Sequence, residues 1–332
     1  HDPANELAHD YTCPQAYRTP IPEHAYPTAW VADRAIDYLK KSAENDDPFF
    51  AFVSFPDPHH PFNPPGKYWD MYDPADFDVD LPFEAHENPV PPMQHLSDMW
   101  EVGKMPPIPQ MPFRADAQHI REAKALTAGM ITMIDDHIGR VVQTLKETGQ
   151  YDNTVIIFTS DHGDYLGDFN LMLKGPLPLA SITRVPMIWS DPATRKGVKT
   201  NAMASTIDLS ASILERADLA PYNGMQGQSF LKSLDGKTPH REEVFIEHND
   251  GGPRMGLERA ARVRTLRSTD WRLSVYAGED FGELYDLQAD PRETKNLWDD
   301  PAHAQDKAVL SMRLIDHLTY QMDESPRATR LA

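Results

Sequence analysis

The sequence predicts an α/β layered domain with a largely parallel sheet, followed by a small antiparallel subdomain. Two helix-then-strand units predict the first part. Apolar residues recur at helical spacing in 27–43 and in 117–148, and short apolar runs follow at 48–55 and 154–160. Helices that alternate with short apolar strands are typical of a sheet covered by helices, with its strands mostly parallel.

The smaller subdomain is predicted by a change in the sequence pattern near residue 240. From there, short strand-like runs such as "EVFIEHN" and "WRLSVYA" are separated by turns, and a helix is expected near 301–322. We therefore divide the chain into residues 1–238, the larger α/β domain, and residues 239–332, the antiparallel subdomain with its terminal helix.

The individual elements of the larger domain follow from local signals. Thr28 is the expected N-cap of the first helix, which continues through Trp30, Ile36 and Leu39. The run "PFFAFVSF" after it reads as a buried strand, and "RVPMIWS" is a third strand candidate, followed by a helix within "STIDLSASILERADL". The apolar stripe of the second helix consists of Ala123, Leu126, Met130, Met133, Ile134, Ile138, Val141 and Leu145.

Composition excludes several classes of function. The 332 residues include 32 basic and 51 acidic side chains, a formal net charge of -19, which repels nucleic acid and anionic lipid. A single cysteine, Cys13, excludes an internal disulfide and a thiolate zinc cluster, and no apolar run reaches the roughly 18 residues of a membrane span. A small anionic substrate stays open, because metal and basic side chains can reverse the field inside one pocket.

Chemistry-bearing side chains follow the first two predicted strands. His59 lies in the proline-bounded stretch "FPDPHHPFNPP", and Asp161 and His162 come directly after "TVIIFTS". Ligands of open α/β sheets bind beyond the carboxyl ends of the strands, so these groups are expected to converge on one crevice. Asp161 and His162 can give one oxygen and one nitrogen to a divalent cation, which is only part of a shell, and Lys174 can supply a positive charge to an anionic ester.

Each of these residues also has a structural interpretation that is the commoner one for it alone. An Asp-His pair after a strand is more often a loop hydrogen-bond pair, and Lys174 alone is typical of a solvated surface. His60 is expected to be a loop residue. Asp135 and Asp136 resemble a paired-carboxylate site, but their place in a helix favours structural hydrogen bonding.

Several longer segments, taken in order, resemble the sulfatase family of the alkaline-phosphatase superfamily, including its phosphonate monoester hydrolase branch. They are "PFFAFVSFPDPHHPFNPPGKYWDMY", "MIDDHIGRVVQTLKETGQYDNTVIIFTSDHGDYLGD", "LKGP", "RVPMIW" and "GELYDLQADPRETKNL". The resemblance covers nearly the whole chain. It implies an alkaline-phosphatase-like fold and hydrolysis of a sulfate monoester, with phosphonate monoesters or phosphodiesters as the alternative.

The resemblance also implies a role for each candidate residue. His59 matches the first histidine of the H-x-P element, which contacts the transferred group and assists the leaving oxygen. Asp161 and His162 match the strand-end metal ligands, and Lys174 matches the lysine that binds the transferred group. One divalent metal ion is implied, calcium with manganese as the alternative. His60 matches no catalytic position, and His60→Ala is expected to have little effect.

Two family elements have no match in this chain. Members carry an amino-terminal strand that ends in paired aspartates, and a C/S-x-P/A-x-R motif whose Cys or Ser is oxidised to the nucleophilic formylglycine. "CPQAY" at Cys13 lacks the arginine and lies only 46 residues before His59. Smaller departures are Phe169 and Asn170, where many members have His-Gly, and the loop Pro178, Leu179 and Ala180.

These departures predict that the chain is the carboxyl-terminal part of a longer enzyme, with formylglycine in a preceding segment. The start "HDPANELAHDYTCPQ", without an initiator Met or signal peptide, favours the same interpretation.

An alternative from another functional class is that the 332 residues alone serve as a non-catalytic anion-binding or interaction module. A small anionic ester is the expected partner, without nucleic acid or membrane. Assembly into a homo-oligomer, and a cytoplasmic or periplasmic location, are left open.

Overall fold

The computed structural model describes residues 5–106, 108–194 and 197–321. Three helices organise the first half: α1 (Pro27–Ser42), α2 (Pro91–Glu101) and α3 (Ala117–Glu147). Asp116 is the N-cap of α3, and its carboxylate accepts the backbone N–H of His119 at 2.8 Å. The expected N-cap at Thr28 is wrong. Pro27, with φ already suited to a first turn, starts α1, and Thr28 Oγ1 instead donates to Asp57.

The strands of the larger domain are short. They are β1 (Phe113–Arg114), β2 (Ile156–Thr159), β3 (Leu171–Met172) and β4 (Met187–Ser190), and β1 pairs with β3 and β2 with β4. Both pairs are antiparallel, so the parallel order expected for this domain is not seen within the described ranges. The predicted strand at 48–55 is wrong as well. It has no strand partner among the residues described, because an apolar run becomes a strand only where another backbone pairs with it.

Two further helices, α4 (Ala180–Thr183) and α5 (Asp208–Arg216), complete the larger domain. The segment 163–179 between β2 and α4 is deeply packed. Tyr165, Phe169 and Leu177 belong to one apolar core with Met93 from α2, and Met255 enters the same core from the carboxyl-terminal part. This core fixes the loop that carries Asp161, His162 and Lys174.

The carboxyl-terminal part is a four-stranded antiparallel sheet covered by a helix, as predicted. Its strands are β5 (Glu243–Pro253), β6 (Ala260–Ser268), β7 (Trp271–Tyr276) and β8 (Gly282–Asp286), in that order, and α6 spans Ala304–Tyr320. Leu266, Leu273 and Leu284 pack against Leu310 and Leu314 of α6. The α/β class and this antiparallel sheet are confirmed, while the exact division at 238/239 stays a prediction.

The two parts are joined by polar contacts close to the predicted boundary. Asp208 at the start of α5 is bound by Arg241, and Met203 and Arg241 form an isolated β-bridge. The hydroxyl of Tyr276 in β7 donates to the carbonyl of Pro176, two residues after Lys174. No helix in the described part of the chain is long and apolar enough to cross a lipid bilayer.

Candidate active site

Asp161 and His162 form a turn directly after β2, as expected. The ring Nδ1–H of His162 donates to the carbonyl of Gly163 at 2.7 Å, which leaves Nε2 with its lone pair free. That Nε2 lies 3.5 Å from Oδ2 of Asp161, whose side chain is 84% exposed. An oxygen and a nitrogen this close can bind one cation together. Burial alone would raise the pKa of Asp161, but the hydrogen bond from the backbone N–H of His162 helps to hold it below its usual value.

Gly163 brings this turn against α4. Its N–H donates to the carbonyl of Ile182 at 2.9 Å. A Cβ at this position would lie 1.8 Å from the carbonyl oxygen of Ser181, so only glycine allows the two backbones to approach this closely. Helix α4 is thus the support on which the Asp161–His162 turn rests.

Lys174 lies within electrostatic reach of the same turn. Burial lowers the pKa of Lys174, and the charges of Asp161 and Asp164 oppose that shift. Asp164 accepts the N–H of Leu166 at 2.9 Å, and burial raises the pKa of its carboxyl to about 6. Asp164 was not among the predicted site residues, although its place two residues after His162, in "DHGD", could have indicated it.

The two adjacent histidines lie in a turn, with His59 exposed and His60 buried. The N–H of His59 donates to the carbonyl of Pro56, and its ring Nδ1 donates to the carbonyl of His60 at 2.5 Å. The rings stack, with centroids 4.0 Å apart and planes 28° apart. The two rings therefore lie side by side and do not point to opposite sides. Side chains alternate in extended strands, and this stretch is a turn followed by a bend.

The charge of Lys174 acts on two loops, the one that carries His59 and His60 and the one that carries Asp161 and His162. Burial lowers the pKa of His60 to about 4, and the positive charges of His59 and Lys174 lower it further. The charge of Lys174 thus acts on His60 on one side and on Asp161 on the other. The roles given to His59, Lys174, Asp161 and His162 stay predictions.

Comparison with known proteins identifies the family. The sulfatase family model matches residues 3–219, and a second model, N-sulphoglucosamine sulphohydrolase, C-terminal, matches residues 178–320. The chain belongs to the sulfatase family. It is 31% identical to an arylsulfatase of Clostridium perfringens, over 83% of this chain and 54% of that protein. It is 30% identical to the multifunctional alkaline phosphatase superfamily protein PehA of Trinickia caryophylli, over 86% of this chain and 58% of that protein.

Solved structures of phosphonate monoester hydrolases have the same fold. The enzyme of Silicibacter pomeroyi superposes with a TM-score of 0.79 at 27% identity, over 98% of this chain and 68% of that one. The enzyme of Agrobacterium radiobacter has a TM-score of 0.80 at 25% identity, over 100% of this chain and 68% of that one. The alkaline-phosphatase-like fold is thereby confirmed. This sulfatase chain spans about half the length of the curated relatives that it matches.

Sulfatases generally use a divalent metal and formylglycine. Within residues 5–106, 108–194 and 197–321, no three or more His, Cys, Asp or Glu side chains are grouped to hold a metal ion. Asp161 Oδ2 and His162 Nε2 can supply two ligands of a metal shell, and their assignment as metal ligands stays a prediction.

Two other candidates, Asp136 and Cys13, have structural roles. Asp136 accepts hydrogen bonds from the hydroxyl of Tyr68 at 2.7 Å and from Lys67 Nζ at 3.2 Å, which ties α3 to the 3₁₀ turn Gly66–Tyr68 that precedes α2. Cys13 is buried, and burial raises the pKa of its thiol. Its backbone N–H donates to Glu122 at 2.7 Å, so Cys13 is part of the packing around α3.

Proposed function

We propose that the complete protein hydrolyses a sulfate monoester. The observation that carries this proposal is the exposed pair of Asp161 Oδ2 and His162 Nε2, beside Lys174, in a chain of the sulfatase family. Hydrolysis of an anionic ester needs positive charge at its non-bridging oxygens and a proton for its leaving oxygen. Lys174 can supply the charge, and His59 can supply the proton.

Each residue has a distinct part in the proposal. A metal ion bound by Asp161, His162 and further ligands would supply positive charge to the ester, and formylglycine would supply the nucleophile. Calcium is the expected ion, and manganese is the alternative. Lys174 holds a non-bridging oxygen by its charge. His59 donates Nδ1–H to the carbonyl of His60, so only in its doubly protonated form does it carry at Nε2 the proton for the leaving oxygen.

The test is turnover of 4-nitrophenyl sulfate by the full-length gene product after formylglycine maturation. We expect hydrolysis that chelation abolishes and that Asp161→Asn or Lys174→Ala reduces by about 10²-fold or more. Activity that survives both chelation and Asp161→Asn would contradict the proposal.

Phosphonate monoesters or phosphodiesters are the second candidate class of substrate. The two phosphonate monoester hydrolase structures, with TM-scores of 0.79 and 0.80, favour this alternative. We expect the sulfate ester to be preferred over a matched aryl phosphonate in kcat/KM. A hundredfold preference for the phosphonate, about 2.7 kcal/mol in transition-state binding, would reverse that order.

The 332 residues alone are expected to be inactive, as a non-catalytic anion-binding or interaction module would be. Two metal ligands are too few for calcium, which takes roughly 6 to 8 oxygens. Calorimetry should therefore detect no tight binding of Ca²⁺ or Mn²⁺ by this chain. Tight one-to-one binding would show that the shell is complete and would remove the need for a preceding segment.

A further inference from the structure

Glu293 is a buried carboxylate to which the proposed mechanism gives no role. It follows β8 in "DPRETKNL", and only 1% of it is exposed. Its backbone φ is 58°, a left-handed conformation that is unfavourable for a residue with a Cβ. Asp290 holds this turn, because its carboxylate accepts the backbone N–H groups of Thr294 and Lys295 at 2.7 and 2.8 Å. A strained conformation persists only where the surrounding contacts fix it, so we looked for what the inward side chain of Glu293 holds.

Two arginines of the carboxyl-terminal sheet hold both oxygens of Glu293. Nη1 of Arg267 in β6 lies 2.5 Å from Oε1, and Nε of Arg272 in β7 lies 3.3 Å from Oε2. Arg272 is itself completely buried, and its Nη2 donates to Glu283 of β8 at 3.1 Å. Buried charges are tolerated only where they are paired in this way. The carboxylate of Glu293 is therefore fixed to the sheet.

The same carboxylate also contacts α4. Oε2 of Glu293 accepts the backbone N–H of Ala180, the first residue of that helix, at 3.3 Å. The first N–H groups of a helix have no partner inside it, and a negative charge beside them is favourable. Because α4 is only four residues long, an acceptor for its first N–H fixes the position of the whole helix.

Helix α4 in turn holds the backbone at Gly163. The N–H of Gly163 donates to the carbonyl of Ile182 at 2.9 Å, and the carbonyl oxygen of Ser181 would lie only 1.8 Å from a Cβ at position 163. Two backbones packed this closely cannot move independently. Direct contacts thus lead from the buried arginines through Glu293 and α4 to the residue next to His162.

We propose that Glu293 is a positioning residue, which couples the carboxyl-terminal sheet through α4 to the Asp161–His162 turn and holds those two side chains in place. This assignment rests on the proposed function for treating Asp161 and His162 as metal ligands. Residues that orient the ligands of a metal ion commonly change its affinity about 10- to 100-fold when they are replaced. The coupling also has a consequence that needs no metal, since loss of the Glu293 contact should loosen the bond between Gly163 and α4.

Ala180→Pro removes the contact with α4 and leaves the ion pairs of Glu293. Proline has no N–H, and it suits the first position of a helix. The preceding residue, Leu179, already has the ψ of 157° that a following proline favours. Ala117→Pro is the matched control, because Ala117 is the first residue of α3 and also follows an extended residue, Asp116.

Two further variants separate positioning from a loss of stability. Glu293→Gln keeps the size of the side chain and removes its charge. Asp208→Asn does the same to a buried carboxylate that binds Arg241 and has no hydrogen bond to α4 within the described residues. Both variants should lower the melting temperature, because each leaves a buried arginine charge without its partner.

Hydrogen exchange of the Gly163 amide in the full-length product is the direct test. We expect Ala180→Pro and Glu293→Gln to accelerate this exchange about 10- to 100-fold under conditions where the protein stays folded. Ala117→Pro and Asp208→Asn should leave it within about threefold of the wild type. The dissociation constant of Ca²⁺ or Mn²⁺, measured by calorimetry, should rise about 10- to 100-fold in the first two variants only.

Unchanged exchange at Gly163 in Ala180→Pro would overturn the proposal. Equal acceleration by Asp208→Asn and Glu293→Gln would overturn it as well, since the effect would then be a loss of overall stability. The proposed function fails separately, if the full-length product hydrolyses neither sulfate nor phosphonate esters. In that case, faster exchange at Gly163 in Ala180→Pro and not in Ala117→Pro would still support Glu293 as the residue that holds the turn.

Discussion

His59 combines exposure with a fixed ring, and this combination leads to a kinetic prediction. In the full-length product, His59→Ala should lower kcat about 10²- to 10⁴-fold, the usual contribution of a positioned acid. The melting temperature should change little, because the ring is exposed and its hydrogen bond is to the neighbouring residue. Steady-state kinetics and thermal melts check this, with the exposed His24→Ala as the control. A kcat within threefold of wild type would contradict it.

Gly163 and Gly139 give a matched pair of Gly→Ala substitutions. A Cβ at Gly163 meets the carbonyl of Ser181 at 1.8 Å, whereas a Cβ at Gly139 meets nothing within 4 Å. We expect Gly163→Ala to destabilise the chain by about 1–3 kcal/mol or more through backbone displacement. Gly139→Ala, inside α3, should stabilise it by about 1 kcal/mol. Urea unfolding of both variants measures this, and equal effects would show that the α4 contact is not tight.

The positions of single residues were predictable from the sequence only where a motif marked them. Asp161 and His162 lie just after β2, as the end of the apolar run 154–160 predicted. The burial of His60 and the raised pKa of Asp164 were not predictable, because both depend on which distant segments pack over the loops. Local spacing contains no information on that packing.

Asp208, at the first turn of α5, leads to a pH-dependent prediction. Its fully buried carboxylate accepts Arg241 Nε at 2.7 Å and the N–H groups of Ser205 and Gln228 at 2.9 and 2.8 Å. Burial alone would raise the pKa of Asp208, but these donors lower it below 3.8. Its contribution to stability is therefore present above the unfolded-state pKa and is lost as the pH falls through the folded-state pKa.

Asp208→Asn should accordingly cost about 3–5 kcal/mol at pH 7, since it leaves the charge of Arg241 uncompensated in a buried site. The gap between variant and wild type should narrow as the pH falls through the folded-state pKa of Asp208, where the wild type loses the same charge. Urea unfolding at pH 7 and at the lowest pH at which the wild type stays folded measures it, with Glu279→Gln in the partly exposed pair with Arg259 as the control. A gap that is the same at both pH values would contradict the assignment.

Helices were more predictable than strands in this chain. The apolar stripe predicted 117–148, and α3 spans Ala117–Glu147. A helix satisfies its backbone within itself, so its own sequence is enough to indicate it. A strand needs a partner, and the run 48–55 has none among the described residues although its composition is typical of a strand.

At the scale of the whole molecule, apolar side chains are exposed where a sheet core would be expected. Phe158 and Ile188 are register partners in the β2–β4 pair, and Ile188 is 59% exposed. Phe50 and Phe52 in the unpaired run are also exposed, Phe52 by 84%. Apolar surface of this kind marks a place where another segment or chain packs. If the chain is part of a longer enzyme, as the sequence predicts, we expect the preceding segment of the same gene product to pack on this apolar surface.

Phe52→Asp tests this proposal in two lengths of the protein. In the 332-residue chain, the side chain is exposed, so the substitution should change the free energy of unfolding by no more than about 0.5 kcal/mol and reduce binding of a hydrophobic dye. In the full-length product, the same position should be inside the sheet core, and an unpaired carboxylate there should cost about 3 kcal/mol or more. Tyr320→Asp, at a side chain 91% exposed at the end of α6, is the control and should be tolerated in both lengths. If the full-length product tolerates Phe52→Asp as well as the shorter chain does, this face is an outer surface, and a preceding segment does not complete the sheet there.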